Sequence, residues 1–187
     1  MDLVLASASP RRREILQTAG IAFQVRPADV DESVEASETP EQYVERLAET
    51  KARAVWRAGE VTLGADTTVV VDGRILAKPE DAEEATAMLE MLSGRTHEVL
   101  TGYCLYDGST ARTGVERTLV RFLPLSAAEI AAYVASGEPF DKAGGYGVQG
   151  LASKFIDRIE GCYFNVVGLP AARIYGLLAE VGRDDGR

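Results

Sequence analysis

Histidine and cysteine are nearly missing from this chain of 187 residues: His97 stands alone, and only Cys104 and Cys162 carry thiols. One histidine rules out a His-rich metal site and any Ser-His-Asp arrangement not centred on His97, which reads as a structural or surface residue after the Gly94 turn. The two cysteines lie in unrelated apolar or aromatic segments without metal-ligand spacing and read as buried reduced thiols. No apolar run approaches the roughly 20 residues of a membrane helix. The opening MDLVLAS is too short for a secretory hydrophobic region and leads into arginines rather than a cleavage site, so the cytoplasm is the expected location. Positive charge is scarce as well, 20 Lys and Arg against 29 Asp and Glu, a net charge of −9. Such a chain repels polyanions at long range, which argues against a stable nucleic-acid partner but leaves room for a small anionic ligand at a local basic cluster. A GxxxxGK[ST] motif is also absent, which excludes a P-loop nucleotidase.

What positive charge there is sits in unusual places. Arg11, Arg12 and Arg13 follow the small-residue turn Ser7-Ala8-Ser9-Pro10. Ser9 reads as an N-cap and Pro10 as the first helical position, so three cations occupy a first turn that already carries about half a positive charge. An anion lying among them resolves the conflict, since backbone N–H groups and forked guanidinium donors make a phosphate cradle. This helix is expected to bury Ile15 and Leu16 and to end at Gly20. Residues 2–6 and 22–26 read as short strands, and 27–38 as an acidic loop.

Thr39-Pro40-Glu41-Gln42 is a capping box that opens a helix with an apolar stripe of Val44, Leu47, Ala48, Ala54 and Val55. Lys51 falls on that stripe, and something must meet its charge. Residues 63–72 read as a buried strand, turned back by Asp72-Gly73. A helix follows over 81–92, then strands near 97–106 and 114–123, then a helix opened by Ser126-Ala127-Ala128-Glu129. Residues 137–150 are glycine-rich and irregular. Two short strands flanking Gly161 and a final helix over 170–180 complete the pattern. Strands alternate with helices and hairpin turns exclude a purely parallel sheet, so the expected class is α/β with a mixed sheet, in one structural unit that could divide into two lobes around a cleft.

Four elements carry charge where packing alone does not ask for it. The first is SASPRRR, whose structural alternative is a capped helix with a solvated basic face. The second is Asp66, at the mouth of a buried apolar strand; there a carboxylate needs an ion pair, hydrogen bonds or a metal. Gly64 and Ala65 before it leave room for a close approach. Lys51 and Lys78 are the third, each of which could instead snorkel. The fourth is DKAGGYGVQG, residues 141–150, where Lys142 and Gln149 offer a cation and an amide among glycines that permit close approach; the alternative is a plain loop. In the acidic loop, Asp31 and Glu32 join Asp66 as oxygen ligands suited to Mg²⁺ or Mn²⁺, or form a solvated acidic run. Together these groups fit metal-assisted hydrolysis of a nucleotide phosphoanhydride.

SASPRRR, GADT, LAKP, LSGRTHEV and DKAGGYGVQG, in this order, resemble the Maf family of nucleoside triphosphate pyrophosphatases, and the match runs from Leu3 to Leu177. The resemblance implies a bilobed α/β fold with a central cleft, related to inosine triphosphate pyrophosphatases. It implies cleavage between the α and β phosphates with a divalent metal, Mg²⁺ or Mn²⁺. Asp66 then corresponds to the proton acceptor and a metal ligand, Glu32 to a metal ligand, and Ser7, Arg12, Lys51, Lys78 and Lys142 to substrate-binding residues. Arg11, Thr67 and Gln149 follow the pattern of the dTTP/UTP group rather than the group acting on methylated GTP. A glutamine amide donates and accepts, which suits the O4/N3–H edge of thymine or uracil. Modified pyrimidine triphosphates fit the same pattern. The alternatives are a methylated-GTP pyrophosphatase of this family or a regulatory module that senses nucleotides without turnover. The resemblance also suggests removal of non-standard nucleotides and is compatible with a homodimer.

Overall fold

In the computed structural model, which describes residues 2–184, seven strands form one mixed sheet flanked by helices. The strands are β1 (Asp2–Leu5), β2 (Gln24–Val25), β3 (Glu60–Val71), β4 (Arg74–Leu76), β5 (Thr96–Tyr106), β6 (Ala111–Phe122) and β7 (Ile156–Glu160). Their order is β2-β1-β3-β5-β6-β7, with β4 paired to β3. β1 runs parallel to both β2 and β3, whereas β4 on β3 and β7 on β6 are antiparallel. The Asp72-Gly73 turn between β3 and β4 puts both residues at positive φ, 50° and 73°, as a tight hairpin with this dipeptide requires.

The helices begin where the sequence signals them. In α1 (Pro10–Thr18), the Ser9 side chain accepts from the Arg12 N–H, Ile15 and Leu16 are buried, and no acidic residue occupies the first turn. Both capping boxes form, Thr39 with Gln42 at the start of α2 (Pro40–Val55) and Ser126 with Glu129 at the start of α4 (Ala127–Ala135). Asp81 caps α3 (Ala82–Leu92), which buries Ala85, Met88, Leu89 and Leu92. Two further helices, α5 (Tyr163–Val167) and α6 (Ala171–Asp184), follow β7. Among the described residues no helix is long and apolar enough to cross a membrane.

The chain divides into two compact units, each assembled from separated segments. Among the described residues the first comprises 2–66, 101–116 and 168–184, and the second 67–100 and 117–167. In the first, α2 lies on the sheet with Ala48 and Ala52 packed against Cys104, and Val4 and Ala6 pack with Val55. The second has a larger apolar core, in which α3 and α4 pack with Val69, Val71, Val99, Phe122, Tyr146 and Phe155. His97 is 2% exposed in that core, its Nε2 2.7 Å from the Tyr146 hydroxyl, which makes it structural.

Several expectations need correction. The stretch after Gly161 is a helix, α5, and not a second strand. Its aromatic and β-branched composition, YFNVV, favours a strand locally, but the helical turn lets the buried Asn165 amide donate to the Val99 carbonyl and the Thr118 hydroxyl, each at 3.0 Å. On α2, Ala52 is buried and Ala54 is exposed. The glycine-rich stretch contains two 3₁₀ turns, Glu138–Asp141 and Ala143–Gly145, with a third at Leu151–Phe155. Both cysteines are free, but only Cys104 is buried; Cys162 is half-buried.

Candidate active site

The site grows from the way α2 is seated in the first unit. A Cβ built on Gly64 of β3 would lie 2.0 Å from the Ala48 carbonyl oxygen and 2.8 Å from the Ala52 nitrogen. One on Gly102 of β5 would lie 2.1 Å from the Val44 carbonyl oxygen. The two glycines therefore form a recess that admits helix backbone directly against the sheet. The close approach that Gly64 was expected to allow is made by a helix.

That seating brings Lys51 to Asp66. The Lys51 Nζ donates to Asp66 Oδ1 at 2.6 Å and forms a second ion pair with Glu32 Oε1, also at 2.6 Å. Lys51 is 6% and Asp66 9% exposed, whereas half of the Glu32 side chain is open to solvent. One buried ammonium thus gathers two carboxylates that arrive from a strand and from the acidic loop, and the charge on the apolar stripe has its partners.

Arg12 joins them from α1. Its Nε donates to the Gly168 carbonyl at 2.9 Å and its Nη1 to the Ser7 hydroxyl at 3.1 Å, and that hydroxyl also accepts from the Ser9 N–H. Part of the Arg12 surface stays open, yet its guanidinium lies deep enough that burial is the largest influence on it and lowers its proton affinity. Asp66 opposes that shift, neighbouring Arg11 adds to it, and Glu32 opposes it. Arg11, Arg12 and Lys51 therefore share one electrostatic neighbourhood with Asp66 and Glu32. Three cations against two carboxylates make it locally positive within a chain of net charge −9.

Such an arrangement can hold a polyphosphate by its anionic oxygens and keep a carboxylate beside it for a water. Among the described residues no group of three or more His, Cys, Asp or Glu side chains could hold a metal ion. The donor set is thus two carboxylates. It fits Mg²⁺, which is usually bound by one or two carboxylates together with substrate phosphates and water, and does not amount to a protein-only cage.

Lys78, Lys142, Thr67 and Gln149 belong to the second unit. Lys78 and Gln149 are exposed and Thr67 is half-buried. Lys142 donates to the Glu138 carbonyl at 2.8 Å, pairs with Asp141 and lies across Gly147. Its loop is a built structure: Glu138 accepts from the Tyr133 hydroxyl at 2.9 Å and from the Leu151 N–H at 2.8 Å, and the Gly144 N–H reaches the Ala77 carbonyl at 3.0 Å. Gly144 has φ 68° and packs on Val69.

Four contributors had no part in the expected set. Tyr43 donates from its hydroxyl to the Glu32 carbonyl at 3.0 Å. Gly168 supplies the carbonyl for Arg12, while Tyr133 and Glu138 fix the glycine-rich loop. Tyr43 was detectable, since it lies one and two helical turns before Leu47 and Lys51 on the same face. The others act through a backbone atom or across a fold, which a linear pattern does not display.

A family model described as Maf-like protein matches residues 2–181. A Syntrophomonas wolfei protein named dTTP/UTP pyrophosphatase is 50% identical over 182 residues, covering 95% of this chain and 96% of that one. Proteins of the same name from Koribacter versatilis and Anaeromyxobacter sp. (strain Fw109-5) are 50% and 52% identical. The first covers 97% of this chain and 95% of its own, the second 96% and 89%. A solved structure of a HAM1 protein from Coxiella burnetii superposes with a TM-score of 0.45 at 18% identity over 65% of this chain and 73% of its own.

Proposed function

The chain belongs to the Maf-like protein family, and from that premise and its site geometry we propose that it is a nucleoside triphosphate pyrophosphatase acting on dTTP and UTP. The reaction consumes one water at the bond between the α and β phosphates and yields the nucleoside monophosphate and pyrophosphate. The observation that carries this reading is the convergence of Lys51 on Asp66 and Glu32, at 2.6 Å each, in the field of Arg11 and Arg12.

Each side chain has a role that its surroundings support. Arg12, anchored on Gly168 and Ser7, presents fixed donors to phosphate oxygens, and Arg11 adds positive charge at the start of α1. Lys51 neutralises the polyphosphate and keeps Asp66 and Glu32 close without mutual repulsion. Asp66, on a rigid strand, orients the attacking water and accepts its proton. Glu32 and Asp66 would hold a divalent cation, Mg²⁺ or Mn²⁺, whose chemistry is to neutralise charge that develops on phosphate oxygens. In the second unit the resemblance marks Lys78 and Lys142 for phosphate and Thr67 and Gln149 for the base. The exposed Gln149 amide offers the donor and acceptor that a pyrimidine edge needs.

Phosphate release from a panel of nucleoside triphosphates, coupled to inorganic pyrophosphatase with and without Mg²⁺, tests the proposal. The expected result is a preference for dTTP and UTP, lost by about 10²–10⁴-fold in Asp66→Asn, the range for removal of a positioned general base. Undiminished turnover by Asp66→Asn would strip that residue of its role. A preference for a methylated purine would overturn the substrate assignment.

A further inference from the structure

Within the acidic loop that delivers Glu32, Asp31 accepts from the Ser33 N–H and hydroxyl, and the Glu35 N–H donates to Glu38. Residues 31–37 are all exposed, and Ser37 takes a positive φ of 67°. The loop is also held at defined points by two residues of one helix. Tyr43, 7% exposed on α2, donates to the Glu32 carbonyl at 3.0 Å. Arg46, three residues on, donates to the Ser33 carbonyl at 2.9 Å and grips the Glu38 carboxylate with Nε at 2.6 Å and Nη2 at 2.8 Å. The guanidinium lies 5.8 Å from the centre of the Tyr43 ring. Lys51, two turns beyond Tyr43, then meets the Glu32 side chain. Backbone and side chain of Glu32 are thus both tied to α2, the helix seated in the glycine recess.

We propose that Tyr43 is a positioning residue: with Arg46 it clamps the acidic loop so that the Glu32 carboxylate stands at Lys51 and Asp66. The phenol suits the task because its buried ring is held on α2 while its hydroxyl reaches the loop backbone. Tyrosine is needed at this place for its hydroxyl and not for bulk alone, since the ring fills the same space in phenylalanine. The consequence for catalysis rests on the pyrophosphatase reading above, whereas the clamp itself does not.

Tyr43→Phe separates the two. In the ligand-free protein, amide hydrogen exchange across residues 30–38 is expected to quicken by about three- to tenfold, the effect of losing one hydrogen bond, while α2 and β3 keep their protection. In turnover assays the Mg²⁺ concentration for half-maximal rate rises by a similar factor. Placed on Glu32→Gln, the same change has no further effect on rate, because it acts through that carboxylate. Exchange in the loop unchanged by Tyr43→Phe would overturn the clamp. A quickened loop with kinetics identical to the parent chain, or losses that multiply in the double variant, would overturn the positioning role. A parent chain that releases no pyrophosphate while its loop responds to Tyr43→Phe would instead sink the catalytic reading and leave the clamp standing.

Discussion

Adding a single methyl group at Gly64 should damage both stability and catalysis through one displacement. The Cβ of Gly64→Ala would stand 2.0 Å from the Ala48 oxygen, 2.8 Å from the Ala52 nitrogen and 3.0 Å from the Ala48 carbonyl carbon. All three are helix backbone and cannot swing aside as a side chain could. Carbon atoms at contact sit about 3.5–4.0 Å apart, so α2 must lift from β3 by about 1 Å or more. Overpacking of this kind costs about 1–3 kcal/mol. For a chain of this length each kcal/mol lowers Tm by about 2–4 °C, which gives a fall of about 2–12 °C. The lift also carries Lys51 away from Asp66, stretching a contact of 2.6 Å beyond hydrogen-bonding distance, and a misplacement of about 1 Å can cost about 10²-fold in rate. The assay is thermal unfolding beside kcat and KM for dTTP, with Gly176→Ala as the matched control. Gly176 lies in α6 with nothing within 4 Å of its built Cβ, so alanine there should be neutral or stabilising by up to about 1 kcal/mol. Parent-like Tm and kcat in Gly64→Ala would refute the idea that the glycine recess sets the Lys51–Asp66 contact.

Two further outcomes follow from other parts of the molecule. Arg12→Lys keeps the charge but cannot reproduce the fork that spans Gly168 and Ser7, and kcat/KM for dTTP should fall by about 10- to 100-fold; a loss under twofold in steady-state assays would show that charge alone suffices. The only histidine, His97, has its pKa lowered by burial from 6.5 to about 4, so the unfolded chain binds the proton more readily and this contribution to stability is complete above about pH 6.5. It is lost as pH falls towards 4, by about 3 kcal/mol in all, and NMR of the ring should give a midpoint well below the ordinary value; a midpoint near 6.5 would contradict the burial.

Much of this was legible because the chain spends charge against local preference. Three arginines in a helix's first turn and a lysine on an apolar stripe are costly unless anions answer them, and in the structure Asp66 and Glu32 answer Lys51. Capping boxes are local and were readable for the same reason: Thr39 with Gln42 and Ser126 with Glu129 need no distant partner. Failures came where distant contacts override local preference. The YFNVV segment carries strand-forming residues, yet Val99 and Thr118 hold Asn165 in a helix. Ala52 and Ala54 look alike on a helical wheel, and only the glycine recess beneath α2 distinguishes them. The anchor at Gly168 is a carbonyl oxygen, which every residue possesses and no sequence pattern can single out.

That anchor bears on how the protein is made. Arg12 leaves the ribosome well before the carbonyl that fixes its guanidinium, which is translated 156 residues later. A nascent chain can already have its capped α1 but cannot lock the fork until Gly168 has been made. The fixed Arg12 fork therefore forms only once Gly168 has left the ribosome, and truncated products ending before Gly168 would lack it however well their earlier segments fold.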